Sequence, residues 1–241
     1  MKKYPVISSD QLKLGYEGTI DNALRFFGAA TNLCGEFPDK ALALAQIGQE
    51  EVGKSLTILA AFHLPSDDAA WQWFWKDWTA HQVKAHRAFI YELISPMRLE
   101  MQSPDGMKYS GLPLRDKIHQ EKEAGLYVDF DVRNLRFLCP AETVSSFEAL
   151  ARTSTLSYLG ATADAVRRAL FNTEEDFRLS AFSELAYRIC SEEIYQQDMP
   201  KILDEFSLRS SQHALLISDL NIALEANKKF FTETTANIRQ P

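Results

Sequence analysis

Few residues punctuate this chain. Its 241 residues include only ten glycines and nine prolines, and long stretches pass without the turn clusters that an all-β chain needs between its strands. That scarcity argues against a sandwich or barrel and favours helices. Cysteine is scarcer still. Cys34, Cys139 and Cys190 are odd in number and far apart, with neither a CxxC pair to hold zinc nor an even set to staple a secreted domain, so they read as reduced core thiols. There is no basic surplus either: the formal net charge is −7, which leaves any phosphate recognition to a local arrangement of side chains. The longest apolar tract, Ser55 to Leu64, falls far short of the roughly 20 residues needed to span a bilayer. Met1-Lys2-Lys3-Tyr4-Pro5 is followed by polar residues, not by the apolar core of a leader. The reading is a cytoplasmic protein with no membrane association.

What the chain does have is hydrophobic residues at 46% against 24% charged, enough to bury a substantial core. Leu12, Tyr16, Ile20, Ala23, Leu24, Phe27 and Ala30 step mostly by three or four, which predicts a first helix over Ser8 to Asn32. Cys34-Gly35-Glu36-Phe37-Pro38-Asp39 breaks it. Lys40 to Phe62 is apolar nearly all round, as befits a helix at the centre of a bundle. A third helix is expected from Ala69 to Ile94, carrying Trp71, Trp73, Trp75 and Trp78 toward the second. Ser95 to Pro113 reads as a loop, and Leu114 to Ala124 as a short helix. Leu126 to Asp131 alternates apolar and acidic residues and reads as extended. Long helices follow over about 141–171, from a capping box at Thr173-Glu174-Glu175-Asp176 to Gln197, and over Gln212 to Thr234. The expected architecture is all-α: a multi-helix bundle forming one domain over 1–241, with a short extended segment near 126–131.

Charge inside the second helix is the feature that calls for chemistry. Glu50, Glu51 and Lys54 lie in a run otherwise bound for the core, where unpaired charges are costly. Glu50 is four residues and Glu51 three residues from Lys54, so either carboxylate can reach the ammonium on one helix face. An internal ion pair is the plain reading. Gly48 and Gly53 weigh against plainness, because each costs about 1 kcal/mol relative to alanine inside a helix. That loss makes sense where a helix or ligand approaches the backbone. On the third helix His81 and Lys84 share a face, while His86 and Arg87 lie on others. An imidazole moves protons near neutral pH and an ammonium holds a phosphate, so the pair suits phosphodiester chemistry; a structural histidine is the alternative. Tyr127, Asp129 and Asp131 alternate in the extended segment, where they either close the site or form a solvated edge.

Other chemistries lack their residues. A di-metal carboxylate bundle needs Glu followed three residues later by His on two helices, and no glutamate here has that partner. The GxSxG, GxxxxGKS/T and GxGxxG patterns are absent too. No metal or cofactor is expected.

The succession Phe37-Pro38-Asp39-Lys40-Ala41-Leu42-Ala43-Leu44-Ala45, Gln49-Glu50-Glu51-Val52-Gly53-Lys54, His81-x-x-Lys84 and Gly125-Leu126-Tyr127-Val128-Asp129 resembles the AbiV family of abortive infection proteins. The resemblance covers about Ile20 to Pro140 and leaves the helices of 141–241 either appended to the bundle or completing it. AbiV proteins are similar to the HEPN superfamily of helical domains, many of them metal-independent endoribonucleases of prokaryotic conflict systems. The resemblance therefore implies phage defence, with Glu51, Lys54, His81 and Lys84 as the characteristic polar residues and Tyr127 and Asp129 as a third, substrate-side motif. The usual HEPN nuclease signature places four to six residues between an Arg and a His. Here Arg115–His119 and Arg209–His213 each enclose three.

Two functions are open at this point. In one, His81 is the general base on an RNA 2′-hydroxyl, Lys84 and Lys54 stabilise the phosphorane, and Glu50 or Glu51 orients them. In the other, these residues form a structural network and the helical surface binds a phage or host protein. A homodimer is compatible with both.

Overall fold

The first helix begins where the sequence caps it. Ser8 Oγ accepts the Gln11 N–H at 3.4 Å while Gln11 Oε1 accepts the Ser8 N–H at 3.2 Å, a reciprocal box worth about 1 kcal/mol. In this computed structural model the described residues are 4–66, 68–93, 122–123, 125–131, 136–171 and 176–191, with single helical residues at 201, 205, 218 and 222. Helix α1 spans Ser9–Leu33 and α2 Pro38–Ala61. Pro38 opens α2, where its missing N–H costs no helical bond.

Helix α2 is the axis of the bundle. Its buried residues lie on every side, from Ala41 to Ala61, and it packs against α1, α3 (Asp68–Thr79), α4 (His81–Leu93), α5 (Pro140–Thr143), α6 (Ser146–Phe171) and α7 (Asp176–Ser191). Leu12, Tyr16, Ile20, Ala23, Phe27 and Ala30 give α1 its core stripe. Trp71 and Phe74 bring α3 into the same cluster, with Leu156, Leu159 and Leu170 from α6 and Phe182 and Leu185 from α7. Among the described residues no helix is long and apolar enough to cross a membrane. The three cysteines are free thiols; Cys34 is buried, and burial pushes the Cys190 thiol up to about 11.

Three expectations need correction. The helix predicted over 69–94 is two helices, with the chain turning at Ala80. The turn keeps helical hydrogen bonds on both sides, Ala80 N–H to Asp77 O at 3.1 Å and Lys84 N–H to Ala80 O at 3.2 Å. The helix predicted over 141–171 is likewise interrupted at Val144-Ser145, because Ser145 Oγ takes the Glu148 N–H at 3.1 Å and starts a new helix. The extended segment is shorter than expected. Gly125 and Leu126 are helical, Tyr127 N–H bonds Glu123 O at 2.9 Å, and only Asp129–Asp131 forms strand β1. It pairs antiparallel with β2, Arg136–Leu138, in the register Asp129 opposite Leu138 and Asp131 opposite Arg136. The predicted loop over 95–113, most of the predicted helix over 114–124 and nearly all of that over 212–234 lie outside the described residues.

Candidate functional site

Two backbone seats on α2 decide what its charged residues can reach. Gly53 is bare of side chain where α4 crosses, and a Cβ there would stand 1.7 Å from the Lys84 carbonyl oxygen. Gln49, one turn earlier, donates Nε2–H to Ala85 O at 3.1 Å. Gly48 is filled from the other side, where a Cβ would meet the Phe27 ring at 2.7 Å. Both mid-helix glycines therefore mark close packing of protein on protein. With α4 seated at Gly53, the first turn of α4 comes to lie over Glu50.

Glu50 is the hub. Its Oε2 is 2.6 Å from His81 Nδ1 and 4.0 Å from Lys84 Nζ, and its Oε1 is 2.7 Å from Lys122 Nζ. Burial pushes this carboxyl up, but the hydrogen bonds from Lys122 and His81 outweigh it and hold Glu50 below the ordinary glutamate range. Glu50 is thus an anion at neutral pH and only accepts. Nδ1 of His81 must then be the donor, which leaves Nε2 with its lone pair in the neutral imidazole. The exposure pattern gives that nitrogen access: the His81 side chain is 61% exposed, against 10% for Glu50 and 5% for Lys84. Burial also draws the Lys84 ammonium below its ordinary value, with Glu50 pulling the other way and Lys54 adding to the depression.

The remaining predicted residues divide. Lys54 pairs with Glu51, not with Glu50, so the two carboxylates separate by one residue into different duties. Lys54 Nζ also lies 5.4 Å from the centroid of the Trp78 ring, a cation–π placement. Tyr127 is exposed, and no described hydrogen bond or ion pair joins it to Glu50. Asp129 is placed only by its backbone in β1. Arg115, His119, Arg209 and His213 lie outside the described residues.

Two residues were missed by reading the sequence. Lys122 comes to Glu50 from 72 positions away, a contact that no local spacing announces. Arg87, which helical spacing places on another face from His81, is the second. It is 5% exposed, donates Nη1–H to Thr57 Oγ1 at 2.8 Å and pairs with Asp77 through Nη2. A signal did exist for Arg87: an arginine flanked by Ala85, Ala88 and Phe89 is bound for the interior and must have a carboxylate nearby.

Comparison with known proteins places the chain by family. Residues 11–156 match the helical family described as AbiV, of HEPN type. No curated protein and no solved structure matches.

Proposed function

The chain belongs to the AbiV family, with the HEPN-like helical fold that membership carries, and from that premise we propose that it is a phage-defence ribonuclease that cuts RNA without a metal. The observation that supports this most is the pairing of a buried carboxylate with an exposed imidazole, Glu50 Oε2 to His81 Nδ1 at 2.6 Å. It is the arrangement that makes histidine a directed base, one nitrogen anchored and the other offered to substrate.

His81 Nε2 takes the proton of an RNA 2′-hydroxyl, and the freed oxygen bonds to the adjacent phosphorus. The bond from phosphorus to the 5′-oxygen breaks, and the proton held by His81 returns through water to that leaving oxygen. The products are a 2′,3′-cyclic phosphate and a 5′-hydroxyl. Glu50 stabilises the imidazolium while it exists. Lys54 and Lys122, 21% and 15% exposed, are the lysines with access to a phosphorane charge. Lys84, buried beneath the pair, holds the Glu50 charge in place.

Incubation with structured and total RNA in chelator tests this reading. Cleavage with cyclic-phosphate ends is expected, falling by about 10²–10⁴ in His81→Ala. Unchanged cleavage in a folded His81→Ala variant removes that residue from the chemistry.

The second reading, a binding protein with no catalysis, draws on the same cluster. Both oxygens of Glu50 are hydrogen-bonded, as in a network whose task is stability. It predicts that Lys54→Ala lowers the melting temperature together with biological activity. A variant that keeps its melting temperature and loses protection of infected cells counts against it.

A further inference from the structure

We propose that Arg87 is a positioning residue: the Asp77–Arg87–Thr57 strut sets the turn at Ala80 and so delivers His81 to Glu50. The proposal rests on the Glu50–His81 pair being the working pair, but its test reads the state of the imidazole and not cleavage.

The geometry leads there by distance. Asp77 and Arg87 are ten residues apart, and in one unbroken helix their backbones would stand about 15 Å apart along the axis, beyond the combined reach of the two side chains. They are nonetheless in direct contact, so this ion pair forms only when the chain turns between them. The turn falls at Ala80, immediately before His81. Arg87 also bonds Thr57 on α2 at 2.8 Å, and its guanidinium lies 5.1 Å from the Trp73 ring centroid on α3. One buried cation therefore holds α3, α4 and α2 together.

The strut also reaches α4's seat. Thr57 Oγ1, which accepts from Arg87, donates in turn to Gly53 O at 3.3 Å, and Gly53 is where α4 rests. The path from Arg87 to the first turn of α4 is short on both sides, through Asp77 at the end of α3 and through Thr57 to Gly53. The His81 side chain is mostly exposed and is tied to the protein through a single described hydrogen bond. Its placement depends on the direction of α4's first turn.

The imidazole's tautomer reports that placement, because bonding to Glu50 requires the proton on Nδ1. Ring nitrogen shifts of labelled full-length protein give the Nδ1–H fraction, with His81→Ala identifying the signal. The key variant is Arg87→Met with Asp77→Leu, which removes both charges and leaves neither buried ion uncompensated. The Nδ1–H fraction of His81 is expected to fall at least twofold in this variant and by a smaller factor in Arg87→Lys, whose ammonium cannot fork to two partners. Leu170→Ala, a core truncation, is expected to leave the fraction unchanged. A wild-type tautomer fraction in the folded double variant overturns the proposal. Should the double variant fail to fold, Asp77→Ala replaces it, since it leaves Arg87 no side-chain acceptor at that position of α3, and an unchanged fraction there overturns the proposal equally. Wild-type protein that cuts no RNA but shows the Arg87-dependent tautomer would retire the nuclease and keep the strut.

Discussion

Glu50 is a carboxylate whose charge the fold has arranged to keep. Its native protonation lies below the ordinary value of 4.5 because Lys122 and His81 outweigh the cost of burial. The sign of the linkage follows. Between 4.5 and the lowered native value the unfolded chain binds a proton that the native state refuses, so the stability this group supplies is complete above about 4.5 and drains away as pH falls through the native value. Urea titrations from pH 6 to 3 are expected to show this loss, and Glu50→Gln should flatten it while costing about 3 kcal/mol at pH 7, because three basic side chains lose their anion. Lys84 behaves oppositely. Burial lowers its native value, so charging it opposes folding at neutral pH, and Lys84→Met should change stability by about 1 kcal/mol or less in the same assay. Residues of this kind are half legible in a sequence. The local spacing of Glu50, Glu51 and Lys54 announced an ion pair but left two carboxylates competing for one lysine; packing assigned Lys54 to Glu51 and gave Glu50 to His81, Lys84 and Lys122.

At the scale of elements, glycines separate packing from mere tolerance. Gly18, an exposed position of α1, has nothing within 4 Å of where a Cβ would sit, so Gly18→Ala should add about 1 kcal/mol by helix propensity alone. Gly53 has a backbone carbonyl in that space, and Gly53→Ala should cost about 3 kcal/mol or more, since main chain cannot step aside as a side chain can. Paired thermal melts check both, and equal shifts would contradict the seating of α4. Periodicity revealed α1 and α2 because their apolar stripes are long and regular. It ran α3 and α4 together because the apolar period continues in phase through Ala80; the turn is held by Arg87 and Asp77, an ion pair ten residues apart with no periodic signature. Ser145 and Glu148, by contrast, form a local cap that the sequence displays and that a reading of apolar period alone passes over.

The whole molecule is acidic, with a formal net charge of −7, so an RNA that binds it is met by a few lysines and not by a general field. Lys54 and Lys122 offer two phosphate contacts, which for a single strand gives a slope of about −1.4 in log affinity against log salt; a slope several times steeper would point to a basic surface elsewhere. The family match at residues 11–156 extends beyond the motifs at both ends and into α6. The all-helical architecture followed from the shortage of turn residues and the length of the apolar stripes. The assembled site did not, because its parts come from α2, from the first turn of α4 and from Lys122, three places that only the folded chain brings together. Single-turnover cleavage of one defined RNA in chelator, by wild type and by Glu50→Gln, tests the central claim most directly. A fall of about 100-fold or more in the folded variant is the result this account predicts, because His81 loses the partner that fixes its tautomer. Cleavage at the wild-type rate would contradict it.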